Sequence, residues 1–187
     1  MLDVSSIRRA LGRAALPAAL AACSVQPLLS DSTSTSGGST SGSTTGSTFC
    51  ADACTANQRC DASVVLMYCA SSCASSLGAE LQHLRPDFVA AWTTCLNGAT
   101  CTSWQVGTAL QSCHDQAAAT ITPSAAAETY CTEAATKDTT CAGGGSQAIC
   151  LDTARTYDDA SLTAGTSCLA EDCTQYVACT KAAFGTQ

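Results

Sequence analysis

The sequence predicts an all-α fold: a disulfide-stapled bundle of short helices, made of two repeated units, behind a disordered Ser/Thr/Gly linker. Three observations carry this. First, from Phe49 onward the chain has fourteen cysteines in 139 residues but only 26 Val, Ile, Leu, Met, Phe, Trp or Tyr. The 46% hydrophobic content hides that scarcity, because 35 of the residues counted are Ala and 15 are Cys. A core so short of large side chains buries too little apolar surface to be comfortable alone. An even, dense cysteine set implies seven disulfides, each stabilising by roughly 2–4 kcal/mol, in an oxidising compartment. Second, apolar residues recur at helical spacing, and no run of alternating β-branched residues argues for strands. Third, the cysteine spacing repeats.

Residues 1–22 read as an export signal. Arg8, Arg9 and Arg13 give a basic start, and residues 14–22 (AALPAALAA) form an apolar run far shorter than the roughly 20 residues of a membrane span. The run ends in Leu20-Ala21-Ala22-Cys23. This segment resembles the lipobox of bacterial lipoproteins: a Leu, two small residues and an invariant Cys. The resemblance implies that the Cys23 thiol takes a diacylglycerol and that cleavage precedes it. Up to three acyl chains, palmitate among them, then anchor the mature N-terminus stably. Ser24, which is not Asp, implies the outer membrane or cell surface of a Gram-negative bacterium. The implied partner is the membrane, reached through the lipid anchor.

Residues 23–48 form the lipidated N-terminus and linker. Positions 30–48 are Ser, Thr or Gly except Asp31. Such a composition cannot bury apolar surface and predicts a disordered tether.

The first unit spans 49–118 and the second 119–187, with matched elements in the second running from 123 to 184. Cys50, Cys60 and Cys69 are spaced 10 and 9 apart, as are Cys131, Cys141 and Cys150. Phe49 and Tyr130 precede the first cysteine of each set. Thr93-Thr94-Cys95-Leu96 is echoed by Thr166-Ser167-Cys168-Leu169, and Cys101-Thr102-Ser103-Trp104 by Cys173-Thr174-Gln175-Tyr176. The order is kept while the offset drifts from 81 to 72, which is the signature of a duplicated unit. Cys113 and Cys179 are looser equivalents. With eight and six cysteines, each unit can close its own disulfides. Cys54 and Cys73 are the extra pair, replaced by Ala135 and Ala154. Their joint loss favours a Cys54–Cys73 bond. Antiparallel Cys-x3-Cys helices favour Cys50–Cys73 with Cys54–Cys69 instead.

Helical faces are read at Ala62/Leu66/Cys69/Cys73, at Phe88/Trp92/Cys95 and at Val106/Leu110/Cys113/Ala117. Pro86-Asp87 and Thr122-Pro123 read as helix starts, and Ser103 and Ser161 as caps. Asn97-Gly98 and Gly143-Gly144-Gly145 read as stops or loops.

No catalytic constellation stands out. His83 and His114 read as surface residues without a nucleophile motif. Cys113-His114 lacks the cysteine at position 110, a leucine, that covalent haem attachment needs. No Cys-x2-Cys occurs, so thioredoxin-type redox chemistry and the usual zinc knuckle are not encoded. Asp158-Asp159 and Glu171-Asp172 read as solvated surface, and Gly143-Gly144-Gly145-Ser146 as a loop rather than an anion nest. The sequence therefore predicts no enzyme, no cofactor and no resident metal. From Cys23 onward five basic residues face fourteen acidic ones, a net charge of −9 that repels nucleic acid. Trp104 and Tyr176 are candidates for a contact surface with an unidentified protein partner, or for core. The alternative reading uses the Cys-x3-Cys pairs Cys50/Cys54 and Cys69/Cys73 as Cu(I) thiolate ligands. That spacing resembles the bacterial copper-storage proteins, although their Met and His ligands have little counterpart here.

Overall fold

The computed structural model describes residues 44–142 and 145–186. The described residues form helices α1 (Thr44–Gln58), α2 (Leu66–Leu81), α3 (Pro86–Gly98), α4 (Cys101–Gln105), α5 (Ala109–Thr120), α6 (Ala125–Ala142), α7 (Gln147–Ala154), α8 (Asp159–Cys168) and α9 (Cys173–Phe184). Among them no strand occurs. The all-α, disulfide-stapled reading is therefore correct.

Helix α1 begins at Thr44, inside the stretch read as linker, so residues 44–48 are helical. Thr and Gly are poor helix formers, but Phe49 and Cys50 are buried directly behind them, and packing overrides propensity. The remainder of the linker, residues 1–22 and Cys23 lie outside the described residues. Pro86 occupies the first turn of α3, and Gly98 ends it, as read. Two cap assignments are corrected. Thr100, not Ser103, caps α4 by accepting the Ser103 N–H, and Asp158, not Ser161, caps α8 by accepting the Ser161 N–H. Both serines sit three residues inside, where the capped N–H is found. Pro123 precedes α6 without entering it, and the Ser124 Oγ accepts the Ala127 N–H at 3.2 Å. Ala62 and Val106 fall outside the helices whose faces they were assigned to, and Val106 is exposed.

The disulfides correct the preferred pairing. The bonds are Cys50–Cys73, Cys54–Cys69, Cys60–Cys101, Cys95–Cys113, Cys131–Cys150, Cys141–Cys173 and Cys168–Cys179. There is no Cys54–Cys73 bond. Helices α1 and α2 run antiparallel, so advancing along one means retreating along the other. Cys50 therefore meets Cys73, and Cys54 meets Cys69 one turn further on. The second unit has a single rung, Cys131–Cys150, between α6 and α7. By the cysteine alignment this matches Cys50 with Cys69. Helix α7 has thus slid by about one turn, roughly 6 Å, relative to the placement of α2 on α1. That slide is why joint loss of two cysteines misled. Every bond closes within 49–118 or within 119–187.

One core unites the two halves, with Phe49, Trp92, Leu96 and Leu110 from the first and Tyr130, Tyr157 and Leu162 from the second. Trp92 donates its Nε1–H to the Leu110 carbonyl at 3.1 Å and packs on Phe49 with ring centroids 4.5 Å apart. The matching position in the second half is Gly165. There Phe184 fills the space: a Cβ on Gly165 would lie 2.6 Å from its ring. The halves meet at an isolated antiparallel bridge between Leu84 and Tyr157. Arg85 N–H donates to the Thr156 carbonyl and Asp158 N–H to the His83 carbonyl, both at 2.9 Å. Counted back from Cys95 and Cys168, residues 83–85 and 156–158 are the same positions. Each half donates one of the two bonds and accepts the other at matching positions, the pattern of a local two-fold axis.

Candidate interaction surface

Polar chemistry is present but enclosed. At the seam, His83 is half-buried, not a free surface residue, and its Nδ1 lies 2.9 Å from the buried Ser161 Oγ. Glu80 accepts the Tyr157 hydroxyl at 3.1 Å. Burial, reinforced by the Glu80 charge, pushes the Tyr157 phenol far above its ordinary range. His114 is also half-buried, edge-on to Phe88 and Trp92 with centroids 5.2 Å from each. Both rings are part of the packing: His83 lies in the turn between α2 and α3 at the seam, and His114 on the face of α5 turned to Phe88 and Trp92. The bond between Ser161 and His83 satisfies a buried hydroxyl.

A second network lies under α9. Tyr176 is hydrogen-bonded to both Tyr130 and Asp138, and the Lys137 ammonium lies 5.9 Å from the Tyr176 ring centroid and donates to the Glu171 carbonyl. Burial raises the pKa of all three network members, with the Tyr176 bond opposing the rise at Asp138. The matching positions in the first half are Phe49, Trp104 and Asn57. Trp104 is buried, and its Nε1–H has no partner among the described residues. Trp104 and Tyr176 are thus core residues and do not form the contact surface considered for them. A shallow open cleft of about 410 Å3 lies between α6 and α7, lined by Glu128, Thr129, Thr132, Glu133, Gln147 and Leu151.

The acidic pairs have local structural roles. Asp158 and Asp172 cap α8 and α9, and Asp159 accepts the Ser124 hydroxyl at 2.6 Å. Gly143 and Gly144 lie outside the described residues. Among the described residues no group of three His, Cys, Asp or Glu could hold a metal ion. Cys50, Cys54, Cys69 and Cys73 are all bonded in pairs, so the helical Cys-x3-Cys arrangement presents no thiolate to Cu(I).

One surface stands apart. At the turn between α1 and α2, four consecutive residues are exposed: Val65 at 52%, Leu66 at 39%, Met67 at 70% and Tyr68 at 64%. Successive helical residues point 100° apart, so a turn exposed at four in a row projects from the body. The projection is rigid. Cys60 is bonded to Cys101 and Cys69 to Cys54, one on each side of it. Val64 packs under it against the Cys54–Cys69 bond. Asp61 fixes the connecting loop by accepting from the Ser63 N–H and hydroxyl. The sequence reading passed over this tip, although Val64-Val65-Leu66-Met67-Tyr68 is the longest unbroken run of large apolar residues in the domain.

No helix among the described residues is long and apolar enough to cross a membrane. The architecture defines a class, a disulfide-stapled all-helical domain held by short-range bridges. No family model matches the chain, and no curated protein or solved structure does so either.

Proposed function

We propose that this is a lipid-anchored cell-surface protein, tethered through Cys23 in the outer membrane of a Gram-negative bacterium. Its role is structural or in binding a partner rather than catalytic. The supporting observation is cysteine bookkeeping: fourteen of the fifteen cysteines pair with one another. The odd one is Cys23, which stands where a lipobox requires a thiol. Dense disulfides also suit an extracytoplasmic setting. The Ser/Thr/Gly-rich stretch after Cys23 joins the stapled domain to the anchor.

Intact mass of the natively exported protein tests this. A chain beginning at acylated Cys23, with no alkylatable thiol before reduction and fourteen after it, is the expected result. An unacylated chain refutes the anchor. Many free thiols with bound copper refute the stapled domain and favour metal storage.

A further inference from the structure

We propose that the tip at residues 64–68 inserts into the interfacial region of the same bilayer that holds the N-terminus. This rests on the lipid-anchor reading above. Four observations converge on it. The fold does not require apolar residues at the four exposed positions 65–68: the aligned positions of the second half are Ser146-Gln147-Ala148-Ile149, of which only Ile149 is a large apolar residue. The exposed surface of Val65, Leu66, Met67 and Tyr68 is on the order of 400–500 Å2, as large as the biggest patch on an ordinary monomer. That is about half of the ~800 Å2 per partner that a stable protein interface buries, and the shape is a projection rather than a groove. A fluid bilayer needs neither the larger area nor a complementary shape, and Tyr68 has the amphipathic ring suited to the headgroup level.

Charge and reach agree. Asp61 is the only charged residue between Cys60 and Ala79, in a chain whose net charge from Cys23 onward is −9. The tip therefore adds little charge repulsion against an anionic surface. It lies at the far end of the α1–α2 hairpin from Thr44. Gly46 sits against Leu81 at the near end, and α1, at 15 residues, is about 22 Å long. Twenty residues separate Cys23 from Thr44, and a Ser/Thr/Gly-rich chain of that length spans on the order of 25 Å. The tether can thus run back along the hairpin and let the tip meet the membrane. The two disulfides beside the tip mean that insertion orders no loop.

The test is the full mature chain carrying Tyr68→Trp, with its mass read first for acylation. The chain is placed in phosphatidylcholine vesicles with and without brominated acyl chains. The unsubstituted protein supplies the background of Trp92 and Trp104. We expect bromine to quench the emission of the introduced indole about twofold or more, and Met67→Glu in the same chain to abolish that quenching while circular dichroism and thiol count stay unchanged. Equal emission of the introduced indole in both vesicle types, from an acylated chain, overturns the insertion and leaves the anchor standing. Equal emission together with chain dimers that Met67→Glu dissolves assigns the tip to a second copy and also overturns the insertion. An unacylated chain whose introduced indole is quenched by added brominated vesicles overturns the anchor and supports the insertion.

Discussion

Removing Cys131–Cys150 should loosen α7 more than removing Cys54–Cys69 loosens α2, although the two bonds close loops of similar length. The perturbations are Cys131→Ala with Cys150→Ala, against Cys54→Ala with Cys69→Ala. Taken alone, loop closure over separations of 19 and 15 residues gives about 3.2 and about 3.0 kcal/mol at 25 °C. The second figure overstates the loss. Cys54–Cys69 is nested inside the Cys50–Cys73 loop, which stays closed, so the freed chain gains only the freedom of an already restricted ring, about 2 kcal/mol. Helix α7 has no second rung. It has eight residues, too few for a stable isolated helix, and Ala154 is its only fully buried side chain. Hydrogen exchange read by mass spectrometry distinguishes the two cases. Amides of 147–154 should lose protection by about two hundredfold in the first variant, and those of α2 by about thirtyfold in the second. Equal losses, or an α7 that keeps its protection, would refute the argument that nesting decides the outcome.

Three further outcomes follow from the packing. Trp92→Phe removes the donor to the Leu110 carbonyl and should lower stability by about 1–2 kcal/mol in denaturant titration, whereas Trp104→Phe removes an unpartnered buried donor and should change it by less than about 1 kcal/mol. Gly185→Ala should cost more than about 1 kcal/mol by the same titration, because its φ of 64° disfavours a side chain and a Cβ would lie 2.6 Å from the Ala79 carbonyl oxygen. Asp138 has a raised folded-state pKa, chiefly from burial, so its protonated form favours the folded state. That contribution is present below the ordinary carboxylate range and is lost as pH rises through the folded value. Asp138→Asn should therefore flatten the fall in melting temperature between about pH 4 and 7, and an unchanged slope would assign that fall to other groups.

Much of the fold was legible in the sequence because few residue types decide it. Cysteine density and scarce large side chains pointed to staples, and the spacing of Phe88, Trp92 and Cys95 pointed to a helix. The Pro86 start follows from the fixed φ and missing N–H of proline. Errors arose where position within a helix mattered more than its existence. Ser103 and Ser161 mark the capped N–H and not the cap. The Cys54–Cys73 preference assumed that both halves share one helix register, which the slide of α7 breaks. His83 and His114 were read as surface residues because nothing local reveals that a seam or a tryptophan lies opposite. The tip went unremarked because a run of apolar residues reads as core until the helix around it is known to project.

The short reach of the disulfides shapes how such a chain matures. The longest bridge joins residues 41 apart, and none crosses from one half to the other. A chain threaded N-terminus first into an oxidising compartment exposes Cys113 while the whole second half still lags behind. All four bridges of the first half can then be complete before Cys131 arrives to compete for a partner. The order of emergence thereby removes most of the wrong pairings that fourteen thiols released at once would sample.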